Sequence, residues 1–183
     1  ELPQATDRRV PLIGDLVDVS RIVTGSLTLQ VQPTDMARVI EAALDSVRQE
    51  VQIKQLEVVI ATAPDLEPIA ADPDRLQQVV RNLLSNAVKF TGPRGRVSIT
   101  AQRTGAMMEL SVADTGLGIR PEFLPHVFDR FSQQDSGKTR EHGGMGLGLA
   151  ISRKIMLDHG GDLQLVATSA SGTTFRLIFG EMK

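Results

Sequence analysis

The chain has 183 residues, 41% of them hydrophobic and 23% charged, the balance of a soluble globular unit with one sizeable core. A formal charge of -2 argues against the basic surface that a nucleic-acid binder needs, and the lack of cysteine excludes a disulfide framework, a thiol nucleophile and a Cys-based zinc site. The lack of cysteine fits a reducing cytoplasm, and with no apolar run near the roughly 20 residues that cross a bilayer and no signal-peptide form in Glu1-Leu2-Pro3-Gln4, a soluble chain is expected.

In chain order, Leu12, Leu16, Val19 and Val23 recur at helical spacing up to Thr24-Gly25, as at the end of a longer helix. The alternation Leu27-Thr28-Leu29-Gln30-Val31 predicts a short strand. Pro33-Thr34-Asp35 then opens a helix of about four turns with an apolar stripe of Met36, Val39, Ile40, Ala43, Leu44, Val47 and Val51. A strand is expected from Glu57 to Ala63. Asp72-Pro73-Asp74 supplies an N-cap, a proline suited to the first helical position and an acid favourable to the helix dipole. The helix it starts buries Leu76, Val79, Val80, Leu83, Leu84 and Val88, and its other face carries Asn82, Asn86 and Lys89.

Val97 to Gln102 and Met108 to Ala113 predict a hairpin through Thr104-Gly105, with Asp114 at its end. Ser132 to Gly144 is almost devoid of apolar residues and reads as a long functional loop. A helix from about Gly146 to His159 and two strands, Leu163 to Thr168 and Thr173 to Phe179, complete the chain, so an α+β two-layer sandwich is the economical architecture.

Several of these residues carry a chemistry. The Asn86 amide oxygen is a neutral, hard donor suited to Mg²⁺, and Lys89 can supply positive charge to phosphates, although Asn82 and Asn86 equally suit the solvated side of an amphipathic helix. Asp114 precedes Thr115-Gly116-Leu117-Gly118, where glycines admit a ligand close to the backbone and a carboxylate can accept from an exocyclic amine; an Asp-Thr-Gly turn would use the same residues. Gly144-Met145-Gly146-Leu147-Gly148 places small residues at a helix N-terminus, as a phosphate cradle or a flexible hinge. Phe128 and Phe131 are expected to anchor one end of the loop in the core, with docking to another domain as the alternative, and Arg130, Lys138 and Arg140 could reach a phosphate from it. His126, His142 and His159 have no partner pattern for a triad or metal site and read as structural or solvated.

Together these elements resemble the catalytic ATP-binding domain of two-component sensor histidine kinases, in the class shared with gyrase, MutL and the large heat-shock chaperone. Asn82 to Phe90 is similar to the family's N box, Asp114 to Ile119 to its G1 box, Phe128 to Phe131 to its F box and Gly144 to Gly148 to its G2 box. Gly172-Thr173-Thr174-Phe175 resembles its terminal box, and the stretch from Phe131-Ser132-Gln133-Gln134-Asp135 to Gly143-Gly144 resembles hybrid sensor kinases in particular.

The resemblance implies a mixed sheet covered on one face by helices, with Mg²⁺ and ATP as cofactors. It makes Asn86 the metal ligand and Asn82, Lys89 and Arg130 the catalytic group. The nucleotide contacts become Asn82, Asn86, Lys89 and Phe90, then Asp114 as adenine reader with Gly116, Gly118 and Ile119, then Gly144, Gly146, Leu147 and Gly148, with Thr173 as an accessory adenine contact. Residues 1–26 become the remnant of a dimerisation helix, residues 27–183 the catalytic domain, and about 119–145 its ATP lid. The implied partners are a phosphoacceptor-histidine helix and a response-regulator receiver domain, within a homodimeric parent that can be membrane-anchored; a monomeric fragment is compatible with this.

Two departures from the family pattern stand out. No His-Glu/Asp-x-x-Thr-Pro phosphoacceptor motif occurs, so the chain is not expected to phosphorylate itself, and Ala170 stands where the family often has glycine. A self-contained ATPase of the gyrase or MutL kind is the first rival, but the position its catalytic Glu would occupy is Asn82. The second is a non-catalytic module that docks through residues 11–23.

Overall fold

A computed structural model describes residues 28–64, 66–134 and 146–180. The expected helix at residues 11–23 lies outside them. Strands β2 (Glu57–Thr62), β4 (Arg96–Thr104), β5 (Met107–Asp114), β6 (Asp162–Ser169) and β7 (Gly172–Phe179) form one mixed sheet in the order β2-β4-β5-β7-β6. β2 runs parallel to β4 and the other pairs are antiparallel. β1 (Gln32–Thr34) and β3 (Ile69–Ala71) make a separate two-stranded ladder.

The helices are α1 (Met36–Asp45), α2 (Arg48–Lys54), α3 (Pro73–Phe90) and α4 (Gly148–Asp158), with a 3₁₀ segment at Pro121–His126. α3 is the central helix. Asp72 caps it by accepting from the N–H groups of Asp74 and Arg75, and Leu76, Val79, Val80, Leu83, Leu84, Ala87 and Val88 are buried along one side. That side meets α1, α4 and the inward residues Val97, Ile99, Leu110, Val112, Phe175 and Leu177 of the sheet, giving the expected α+β two-layer arrangement.

Buried His159 bonds the layers at the far end of α4. Its Nε2 accepts from the Asp72 N–H at 3.0 Å while Nδ1 donates to the Ile155 carbonyl at 2.8 Å, which requires the neutral Nδ1–H tautomer. His126, by contrast, is exposed and bonds Asp129, and His142 lies outside the described residues.

Three expectations need correction. The strand expected at Leu27–Val31 instead begins at Gln32, because its partner Ile69–Ala71, absent from the sequence reading, sets the ladder; Pro33 is tolerated in so small a sheet, where one strand edge needs no donor. Leu27 itself lies outside the described residues. The four-turn helix is broken after Asp45: the Ser46 hydroxyl takes the Ala43 carbonyl at 2.6 Å, Val47 N–H bonds back to Leu44, and α2 restarts at Arg48. Phe131 is 64% exposed at φ 60°, so only Phe128 anchors the loop, edge-on to Phe175 at 6.3 Å with the Arg153 guanidinium over its ring. The family departure at Ala170 needs no special backbone, since the positive φ of this turn, 139°, falls on Gly172.

Candidate active site

The site is built where the C-terminal half of α3 meets the ends of β5, β6 and β7. Asn82 is half-buried, and its amide donates to the Gly148 carbonyl at 3.3 Å and to Ser152 Oγ at 3.1 Å. One turn on, Asn86 is half-buried with no hydrogen bond to its amide among the described residues. Lys89 sits with Nζ 4.8 Å from the ring centre of Phe90, which is 49% exposed, and burial lowers the Lys89 pKa from its ordinary value.

Asp114 is the last residue of β5, paired with Val97 on one side and Thr173 on the other, on the sheet face that the helices cover. Its Oδ1 accepts from the N–H of Gly116 at 2.8 Å and of Thr173 at 3.3 Å, whereas Oδ2 has no partner among the described residues. Burial raises the carboxyl pKa, and those two backbone donors only partly oppose it. A carboxylate and an ammonium both shifted by desolvation are the pattern of a candidate functional site.

Glycine is required around Asp114. A Cβ at Gly116 would stand 2.5 Å from the Phe90 carbonyl oxygen, and one at Gly118, where φ is 73°, only 1.8 Å from that of Ser169. The turn after Asp114 is thereby closed onto both α3 and β6. Half-buried Ile119 donates its N–H to Thr168 Oγ1 at 2.8 Å, and Thr168 Oγ1 lies 3.2 Å from Thr173 Oγ1.

The sequence reading missed Thr168. Simple alternation from Leu163 and Leu165 puts Thr168 on the outer face, but a bulge between Leu165 and Ala167 shifts the register so that Thr168 pairs with Thr173. Ser152 and Lys54 were missed as well; neither stands in a motif, and their roles arise from contacts across 70 and about 35 residues of sequence.

Of the glycine-rich stretch, Gly144 lies outside the described residues. Gly146 has φ 66° and packs on Ser132, and its carbonyl accepts from Phe131 N–H at 2.9 Å. Leu147 is buried and gives α4 no side-chain cap, so the first-turn N–H groups that begin at Gly148 have no side-chain acceptor among the described residues. Arg130 is exposed. It lines a groove of about 290 Å³ with Phe128, Leu147, Arg153, Lys154 and Leu157, and none of Asn86, Lys89, Asp114 or Thr173 borders that groove. Of the other expected site residues, Leu147 shares this groove with Arg130.

The lid expected at about 119–145 is only partly described. Its first part is structured, with the 3₁₀ segment followed by Gln134, whose side-chain oxygen accepts from Arg120 N–H at 3.0 Å.

Comparison with known proteins agrees with this geometry. Residues 71–182 match the family model described as histidine kinase-, DNA gyrase B- and HSP90-like ATPase. The circadian input-output histidine kinase CikA of Synechococcus elongatus is 36% identical over 90% of this chain, and hybrid signal transduction histidine kinase L of Dictyostelium discoideum is 33% identical over 97%. The chain spans 22% and 11% of the lengths of these relatives. The crystal structure of full-length ShkA in complex with AMPPNP superposes with a TM-score of 0.82 at 30% identity, over 94% of this chain and 36% of that one. The chain belongs to the histidine kinase-, DNA gyrase B- and HSP90-like ATPase family, as an ATP-binding catalytic domain of the sensor histidine kinase kind.

Proposed function

We propose that this domain binds Mg-ATP and delivers the γ-phosphoryl group to a histidine on a dimerisation helix of a longer, homodimeric kinase, for relay to an aspartate of a response-regulator receiver domain. In this reading residues 1–26 end that helical region, residues 27–183 form the catalytic domain, and the domain works in the cytoplasm, where ATP is supplied. The observation that carries it is the Asp114 carboxylate: one oxygen is occupied by two backbone N–H groups and the other left to accept from an amine such as adenine's.

The residues present fit a magnesium–nucleotide complex. Asn86 offers a neutral oxygen with no other engagement among the described residues, and Lys89 offers a cation on the same face of α3. When bound, Mg²⁺ would supply charge neutralisation to the phosphate oxygens. Gly116 and Gly118 bring backbone close to the base, Thr173 and Thr168 border it, and the N–H groups at the start of α4 donate to phosphate oxygens. Arg130 is the loop's phosphate contact in this reading, on a segment that Phe131 N–H ties to the Gly146 carbonyl at 2.9 Å.

In the transfer, a ring nitrogen of the acceptor histidine forms a bond to the γ-phosphorus as the bond to the bridging oxygen breaks and ADP leaves. Neutral imidazole is already a competent nucleophile, so the domain contributes positioning and electrostatics and no base. Asn82 supports this over the ATPase rival. Its amide is committed as a donor to Gly148 and Ser152, and no carboxylate takes its place to activate water.

Calorimetric titration with AMPPNP, with and without Mg²⁺, tests the binding step, and incubation with γ-labelled ATP and a separately made phosphoacceptor helix tests transfer. Magnesium-dependent binding and label on the helix, with phosphate release near background, are the expected results. Binding with brisk phosphate release and an unlabelled helix would overturn the kinase reading in favour of an ATPase.

A further inference from the structure

A helix leaves its last carbonyls without intrahelical partners, and in α3 those carbonyls belong to the segment that carries Lys89 and Phe90. Lys54, the last residue of α2, spends its whole donor capacity on them: Nζ bonds the carbonyls of Val88 at 2.6 Å, Lys89 at 2.9 Å and Thr91 at 3.0 Å. The positive charge also faces the negative end of the α3 dipole. The carbonyl it leaves out, that of Phe90, is the one against which Gly116 packs.

Lys54 is itself fixed. Its backbone carbonyl accepts from Arg94 N–H at 2.9 Å, the next residue Gln55 ends α2 at φ 53°, and Glu57 N–H bonds Gly95 at 2.9 Å. The α2–β2 junction and the α3–β4 connection are thus one unit, joined by two backbone hydrogen bonds and by the Lys54 ammonium.

We propose that Lys54 is a positioning residue for the nucleotide site: it holds the last turn of α3 so that Asn86 and Lys89 face the metal and phosphates, and it fixes the Phe90 carbonyl against the turn after Asp114. The proposal rests on the reading of Asn86 and Lys89 as metal and phosphate contacts. Lys54 touches no nucleotide in this scheme and acts through the backbone of residues 88 to 91. A merely structural lysine would change the melting temperature and leave the affinity of the folded protein untouched.

The test is calorimetric titration of AMPPNP, with and without Mg²⁺, into the unmodified chain, Lys54→Met and Lys54→Arg, each well below its own melting temperature. Lys54→Met keeps the aliphatic stem and removes the donors. The expected result is a loss of about tenfold in Mg²⁺-dependent affinity, with metal-free affinity changed less than about threefold, and recovery to within about threefold in Lys54→Arg. Equal Mg²⁺-dependent affinity in the unmodified chain and folded Lys54→Met would overturn the proposal. Failure of the unmodified chain to bind would instead sink the nucleotide reading on which it stands. If Lys54→Met does not fold, Lys54→Gln, which keeps two donors on a shorter, uncharged side chain, replaces it under the same criterion.

Discussion

The side-chain amide of Asn82 donates to Ser152 Oγ at 3.1 Å, which bonds α3 directly to the helix that follows the glycine-rich stretch. The same amide reaches the carbonyl of Gly148, the first residue of that helix, so Asn82 fixes where the first-turn N–H groups of α4 stand relative to Asn86. Asn82→Asp would turn an acceptor toward the Gly148 carbonyl oxygen and leave that oxygen without its donor. A destabilisation of about 1–3 kcal/mol is expected, against about 1 kcal/mol for Ser152→Ala, which leaves the Gly148 bond in place. Urea denaturation midpoints of the two variants check the ranking, and equal midpoints would contradict it.

Asp114→Asn separates function from stability. In the variant the amide oxygen can still accept from Gly116 and Thr173, which forces the NH₂ group to the position of Oδ2, where a donor would meet the adenine amine. Nucleotide affinity should fall by about 100-fold or more. Stability should move the other way at neutral pH. The folded-state pKa of Asp114 is raised by burial, so the native protein binds this proton more tightly than the unfolded chain, and the carboxyl's contribution to stability is lost as pH rises from about 4 through the folded value. Asparagine lacks that pH dependence. Melting curves at pH 7 and pH 3 should show the variant at least as stable as the unmodified chain at pH 7, with the difference shifting in favour of the unmodified chain at pH 3.

The two glycines at positive φ on either side of β5 should behave differently. Gly105, in the β4–β5 turn, has φ 64° and nothing within 4 Å of an added Cβ, so alanine there costs only the backbone term of about 1 kcal/mol. Gly118 has φ 73° and an added Cβ would lie 1.8 Å from the Ser169 carbonyl oxygen, so backbone and β6 must both shift and the cost rises to about 3 kcal/mol. Gly118→Ala should also weaken AMPPNP binding while Gly105→Ala leaves it unchanged. Comparable melting temperatures for the two variants would refute the clamp between this turn and β6.

Local chemistry in the sequence determined a good part of this. Asp72-Pro73-Asp74 starts α3 where capping demands, the apolar stripe from Leu76 to Val88 decides which side is buried, and the opposite side therefore carries Asn82, Asn86 and Lys89. The hairpin that ends at Asp114, and the glycines after it, follow from strand alternation and turn residues. Tertiary structure decided the rest, because the deciding partners are far apart in sequence. The pairing of Gln32–Thr34 with Ile69–Ala71 overrode a local alternation, and a bulge in β6 carried Thr168 to the inner face. Helical periodicity alone could not reveal that the Ser46 hydroxyl takes a carbonyl from α1 and ends it. Nor could any motif reveal that Asn82 bonds Ser152, or that Lys54 closes the end of α3, since hydrogen bonds between elements exist only once packing has brought their donors and acceptors together.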